Sequence, residues 1–135
     1  MKKIKEDRQY IIDTAKKLGF SNKSFLVTGA TGMIGRLLVA VLKEITPESN
    51  IYVLGLNLKE TQTVFSDANF KKISFEQLDK IDSNIDYVIH LASPTNSKFL
   101  KEKPVETISF IYKSTEQVLN FALRNNSRVL YVSSM

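Results

Sequence analysis

Hydrophobic and polar positions follow two rhythms along this 135-residue chain. The first is helical. Over residues 1 to 20 or so, Ile4, Ile11, Ala15 and Leu18 recur near one face, Lys, Glu, Asp and Arg fill the rest, and Gly19 supplies a stop. From Lys23 onward short apolar runs alternate with helical periods. Ser24 to Thr28 reads as a strand closed by a glycine cluster, and Ile34, Leu37, Leu38, Val41, Leu42 and Ile45 then recur at helical spacing over Met33 to Ile45. Thr46-Pro47-Glu48-Ser49-Asn50 breaks that helix, and Ile51 to Leu56 is a second buried strand. Residues 57–82 carry a weaker pattern, with a short helix over Leu58 to Phe65 and a short strand over Lys72 to Phe75. Ile85 to Leu91 is a clear strand. Pro104, favoured where a helix has no use for an N–H, opens a long helix with Ile108, Ile111, Thr115, Val118, Leu119 and Ala122 on one face. Asn125-Asn126 ends it, and Arg128 to Ser133 is the last strand.

Strands that alternate with helices and are apolar on both faces predict an α/β architecture, a parallel sheet covered by helices on each side. The chain divides into an N-terminal helical extension, residues 1–22, and an α/β domain, residues 23–135.

The sharpest chemical signal is Thr28-Gly29-Ala30-Thr31-Gly32-Met33-Ile34-Gly35. Three glycines at intervals of three stand between an apolar strand and an amphipathic helix, the context in which this spacing binds a dinucleotide. Gly29 permits the tight turn off the strand, Gly32 admits a pyrophosphate against bare backbone, and Gly35 lets the helix lie close to the sheet. The helix start then offers free N–H groups and the positive end of its dipole to the phosphates. Thr31, Met33 and Ile34 belong to the same cradle. No Gly-Lys-Ser/Thr follows, which excludes a Walker loop.

At the end of the second strand an acid selects NAD and a basic residue accommodates the 2′-phosphate of NADP. The strand ends Gly55-Leu56-Asn57-Leu58-Lys59. Asn57 serves either as an uncharged ribose partner or as a turn residue, and no arginine stands there. NAD is the expected cofactor; Lys59 keeps NADP open.

Composition narrows the picture. Nineteen Lys and Arg against 14 Asp and Glu give a net charge of +5, but the lysines are scattered among acids without interleaved aromatics, so no nucleic-acid partner is expected. The longest apolar run, Leu37 to Leu42, is far short of the roughly 20 residues of a membrane span. There is no cysteine and one histidine, His90, which excludes disulfides and thiol nucleophiles and leaves no expected metal site. The expected compartment is the cytoplasm.

Three blocks in order, Thr28 to Gly35, Asp86-Tyr87-Val88-Ile89-His90-Leu91-Ala92-Ser93, and Val129-Leu130-Tyr131-Val132-Ser133-Ser134, resemble the extended short-chain dehydrogenases/reductases, specifically the NAD-dependent epimerase/dehydratase family. Ala92-Ser93-Pro94-Thr95-Asn96-Ser97-Lys98 is similar to nucleotide-sugar dehydratases and decarboxylases. The resemblance implies a Rossmann-like, doubly wound parallel sheet of about five strands in the order 3-2-1-4-5. It implies that Leu91, Ala92 and Ser93 line the dinucleotide and that His90 is a structural strand end. It also implies a nucleotide-sugar substrate for the parent enzyme. The family's catalytic set is a Ser/Thr followed by Tyr-x-x-x-Lys; Ser134 matches the first, with Ser133 as the alternative.

The pair does not follow. The residues four after Tyr10, Tyr52, Tyr87, Tyr112 and Tyr131 are Thr14, Leu56, Leu91, Glu116 and Met135, none of them lysine. Met135 stands where sugar dehydratases often carry an acid, and Ile111 where many relatives carry asparagine. The expectation is therefore a truncated cofactor half, inactive alone, whose exposed last strand favours a homodimer or edge-strand association. The competing expectation is a dinucleotide-sensing regulatory module without chemistry.

Overall fold

The computed structural model describes residues 2–66, 68–94 and 97–132. Five strands, β1 (Phe25–Thr28), β2 (Ile51–Leu54), β3 (Lys71–Ile73), β4 (Tyr87–His90) and β5 (Arg128–Tyr131), form one parallel sheet in the order β3-β2-β1-β4-β5. The chain builds outward from β1 through β2 to β3 and then crosses to the other side with β4. That reversal lies between β1 and β4, where ligands bind in open α/β sheets. Thr28 pairs in register with both Leu54 and His90, so the three loops after β1, β2 and β4 open side by side.

The alternation of side chains across a strand explains why these strands are apolar throughout. Phe25 and Val27 of β1 and Val53 of β2 point to one face, where they meet Val39 and Leu42 of α2 (Met33–Leu42) and Phe65 and Phe70 around α3 (Leu58–Val64). Leu26 and Leu54 with Val88 of β4 point to the other, where Val118, Phe121 and Ala122 of α5 (Pro104–Asn125) and Leu78 close over them. Each such side chain, fully buried, contributes about 1.5–3 kcal/mol.

Helix rotations differ from the sequence pattern in three places. In α1 (Lys2–Lys17) the buried residue among those described is Ile12, while Ile11 and Leu18 are exposed. The chain reverses at Gly19 (φ 84), Phe20 packs on Tyr87 with ring centroids 5.2 Å apart, and Arg8 pairs with Glu44 at 3.3 Å, which together set how α1 lies. In α2, Ile34 and Leu37 are exposed, because Gly35, Val39 and Leu42 form the face against the sheet. That helix ends three residues before Ile45, where Thr46 N turns back to Leu42 O at 2.9 Å. In α5 the buried stripe is Thr107, Ser114, Val118, Phe121 and Ala122, which leaves Ile108 and Leu119 outside. A short helix the pattern did not predict, α4 (Ser97–Glu102), precedes Pro104.

Candidate functional site

The three glycines answer to three different constraints. Gly29 has φ 67, in the left-handed region, and a side chain there would place its Cβ 2.8 Å from Ala92 N and Leu91 C. Gly35 sits in the first turn of α2, where a Cβ would fall 2.3 Å from Gly29 O. Both are demanded by the protein's own packing. Gly32 is not: a Cβ there would meet only Gly29 O, at 3.3 Å, and its φ of −70 suits any residue. The space it leaves lies open at the start of α2, as bare backbone must for a group outside the protein to approach.

Around that space the backbone is arranged as a cradle. Gly32 N donates to Gly29 O at 3.1 Å, and the first helical bond runs from Arg36 N to Gly32 O at 2.9 Å. No side chain caps α2, so the amides of Met33, Ile34 and Gly35 have no helical acceptor. Met33 and Ile34 are themselves exposed. On the far side, Leu91 and Ala92 form a wall. Both of their amides donate to the Thr28 hydroxyl oxygen, at 3.2 and 3.1 Å, and the hydroxyl lies 2.6 Å from His90 Nδ1. Ala92 is buried, Leu91 half-buried and Ser93 exposed at the mouth.

At the end of β2, Asn57 is the N-cap of α3: its Oδ1 accepts from Lys59 N at 2.9 Å and Glu60 N at 3.3 Å. The oxygen that a ribose hydroxyl would seek is thus already engaged. Gly55 is close-packed, since a Cβ there would touch Thr61 Oγ1 at 2.3 Å and Thr31 Cγ2 at 3.0 Å. Thr31 in turn accepts, through its carbonyl, a 2.7 Å hydrogen bond from Arg36 Nε. Arg36 is exposed and is brought to this corner from α2, a residue that a search along β2 alone does not find. Ser133 and Ser134, the candidate catalytic hydroxyls, lie outside the described residues, as do Thr95 and Asn96. His90 is buried, with the Thr28 hydroxyl at its Nδ1 and the Thr115 hydroxyl at its Nε2.

Two further features frame the site. Asp86, at the opposite end of β4, is partly desolvated, which raises its pKa. The Ser24 amide and hydroxyl and the Lys23 ammonium more than offset that and hold it below the usual carboxylate range. Among the described residues no cluster of His, Cys, Asp or Glu could hold a metal ion, and no helix is long and apolar enough to cross a membrane.

The residues present fit a dinucleotide: an orphan helix start, an exposed glycine with open space on its outer side, and a wall at the sheet's switch point. Fold and cradle together define a Rossmann-type dinucleotide-binding domain. Comparison with known proteins narrows this. Residues 25–135 match the model of the NAD dependent epimerase/dehydratase family, and the chain belongs to that family. Its cofactor class is therefore a nicotinamide dinucleotide. The chain is 31% identical over 120 residues to UDP-glucuronic acid decarboxylase 6 of Arabidopsis thaliana, an alignment covering 84% of this chain and 34% of that protein. It thus spans about a third of the curated relatives' length. An epimerase from Methanothermobacter thermautotrophicus superposes with a TM-score of 0.76 at 23% identity, over 92% of this chain and 38% of that one. The dTDP-glucose 4,6-dehydratase of Streptomyces venezuelae, solved with NAD bound, superposes with a TM-score of 0.60 at 21% identity, over 78% and 38%. These last two share the fold.

Proposed function

We propose that this chain is the dinucleotide-binding part of a nucleotide-sugar epimerase, dehydratase or decarboxylase. The single observation that carries the reading is Gly32 at the uncapped start of α2, where an added Cβ would meet only Gly29 O. The decarboxylase relative supports the sugar-nucleotide class. A bound nicotinamide dinucleotide supplies hydride acceptance and return. The chain's own residues bind and orient: the amides after Gly32 take the phosphates, Leu91 and Ala92 close one side, and Ser134, with Ser133 beside it, holds a substrate hydroxyl. No Tyr-x-x-x-Lys occurs in these 135 residues, so they bind without turning substrate over. The reading carries with it the cytoplasmic setting and the self-association through β5 expected from the sequence.

The test is to incubate the full-length protein with NAD and, separately, UDP-glucuronate and dTDP-glucose, and to follow the sugar by NMR. Formation of a 4-keto sugar or its decarboxylated or epimerised product supports the reading. Dinucleotide binding with no change in either sugar would favour a sensor module instead.

One observation favours NADP over NAD as the bound form. No carboxylate stands at Gly55, Leu56 or Asn57, while the Arg36 guanidinium is hydrogen-bonded to Thr31 beside Gly55. On this second reading Arg36→Ala weakens NADP about tenfold and leaves NAD unchanged, the effect of losing one charge-assisted contact. Equal loss of both forms would exclude it.

A further inference from the structure

His90 is the chain's one histidine, only 2% exposed, and it touches three elements. Its Nδ1 lies 2.6 Å from the Thr28 hydroxyl at the end of β1, and its Nε2 lies 3.3 Å from the Thr115 hydroxyl of α5. Its ring stands 5.5 Å from that of Tyr131 on β5. The Thr28 oxygen also receives the amides of Leu91 and Ala92. Two incoming donors occupy the hydroxyl's two lone pairs, so its single hydrogen must point to an acceptor. The acceptor within reach is His90 Nδ1. That assigns the tautomer: Nδ1 is bare, and Nε2 carries the proton toward Thr115. The opposite tautomer would press a third donor onto Thr28 and leave the hydroxyl hydrogen without an acceptor.

We propose that His90 is a positioning residue for the dinucleotide cradle: as a neutral imidazole it fixes the Thr28 hydroxyl, which pins the Leu91 and Ala92 amides as the wall. The inference rests on the dinucleotide reading of that wall. The wall stands directly against the glycine turn, since a Cβ on Gly29 would fall 2.8 Å from Leu91 C and Ala92 N. A proton on Nδ1 removes the acceptor. The Thr28 hydrogen must then turn toward the amides it had received; Leu91 N keeps its 3.2 Å bond to the Thr28 carbonyl, so Ala92 N is the donor that loses its acceptor.

The groups that face the ring are the Thr28 hydroxyl from β1, the Thr115 hydroxyl from α5 and the Tyr131 phenol from β5. Thr115 and Tyr131 also border a groove that carries Tyr112 and Glu116 of α5. Among the described residues no salt bridge joins a carboxylate to the imidazole. Burial therefore dominates and holds the His90 pKa below the ordinary histidine value. A base whose folded pKa is depressed binds its proton more readily in the unfolded chain. Its contribution to stability is full above about pH 6.5 and is lost as pH falls through the folded value. The wall follows the same direction.

Two variants and two readouts test this. In His90→Asn the side-chain oxygen replaces Nδ1 as acceptor and cannot be protonated; His90→Leu removes the acceptor. The amide resonances of Leu91 and Ala92 are followed by NMR from about pH 8 downward through the histidine range, and NADH or NADPH affinity is measured across the same interval. In the native chain both amides shift together with a midpoint below about 6.5, and affinity falls by up to roughly tenfold, the scale of one lost hydrogen bond. His90→Asn keeps the wall and is flat with pH; His90→Leu is shifted and weak throughout. Amides that titrate equally in native and His90→Asn protein would overturn the proposal, as would His90→Leu binding as tightly as native. If neither cofactor binds while the amides behave as stated, the cradle assignment fails and the role of His90 stands. Should His90→Leu not fold, the comparison of native with His90→Asn still decides.

Discussion

β4 and β5 are neighbouring four-residue strands in parallel register, both apolar, with opposite fates. In β4, Val88 is wholly buried; opposite Ile89, Leu130 of β5 is 58% exposed. Composition does not separate them. Position does: β4 lies between β1 and β5 with α5 across one face, whereas among the described residues β5 has a single strand partner. Beside β5 the outer stripe of α5, with Ile108, Tyr112 and Leu119, is exposed too, and with Tyr131 it borders a groove of about 600 Å³. At the β1–β4 seam every constraint is met from within the chain: hydroxyls, imidazole and amides close on one another, and among the described residues no buried side-chain polar atom lacks a partner. At the β5 flank, among the described residues, the apolar side chains of β5 and of the outer stripe of α5 stand exposed. On the reading proposed above, the seam offers backbone to a dinucleotide and the flank offers apolar surface to another polypeptide face.

The largest expected effect breaks the seam. Gly29→Ala adds a Cβ into Leu91 and Ala92 and strains a left-handed φ, and it should cost roughly 3 kcal/mol, seen as a lower midpoint in urea unfolding. A variant as stable as the native chain would show that the loop and the wall are not in contact. At the flank the prediction reverses. Leu130→Lys should change the unfolding midpoint by no more than about 0.5 kcal/mol, because the side chain is largely in water, yet it should shift sedimentation toward monomer. Native chain that stays monomeric at high concentration would remove the flank's role as an association surface.

How far the sequence foretold this depends on the range of the interactions. The strands were legible because parallel strands bury both faces and so leave unbroken apolar runs. Gly29 and Gly35 were legible because only glycine survives at such contacts. The faces of α1, α2 and α5 were not, since each carries more apolar positions than one face can bury, and Ile11, Leu37 and Leu119 compete with Ile12, Val39 and Val118 on periodicity alone. Asn57 carried a readable signal that was passed over: Asn followed three residues later by Glu60 is an N-cap signature. Arg36 reaching back to Thr31, and Thr28 meeting His90 across 62 residues, leave no trace in spacing. The first comes from the shape of the turn between β1 and α2, the second only once β1 and β4 are paired.

Calorimetric titration of NAD, NADP and ADP into the native chain and into Gly32→Ala tests the cradle most directly. An added methyl at Gly32 meets only Gly29 O, at 3.3 Å, and puts Ala in place of Gly at the N-cap of α2, so the fold should lose about 1 kcal/mol. Saturable heat is expected with at least one dinucleotide in the native chain, and affinity at least roughly tenfold weaker in a Gly32→Ala variant that still unfolds cooperatively. No heat with any of the three ligands, or a Gly32→Ala variant that binds as tightly as the native chain, would contradict the cradle.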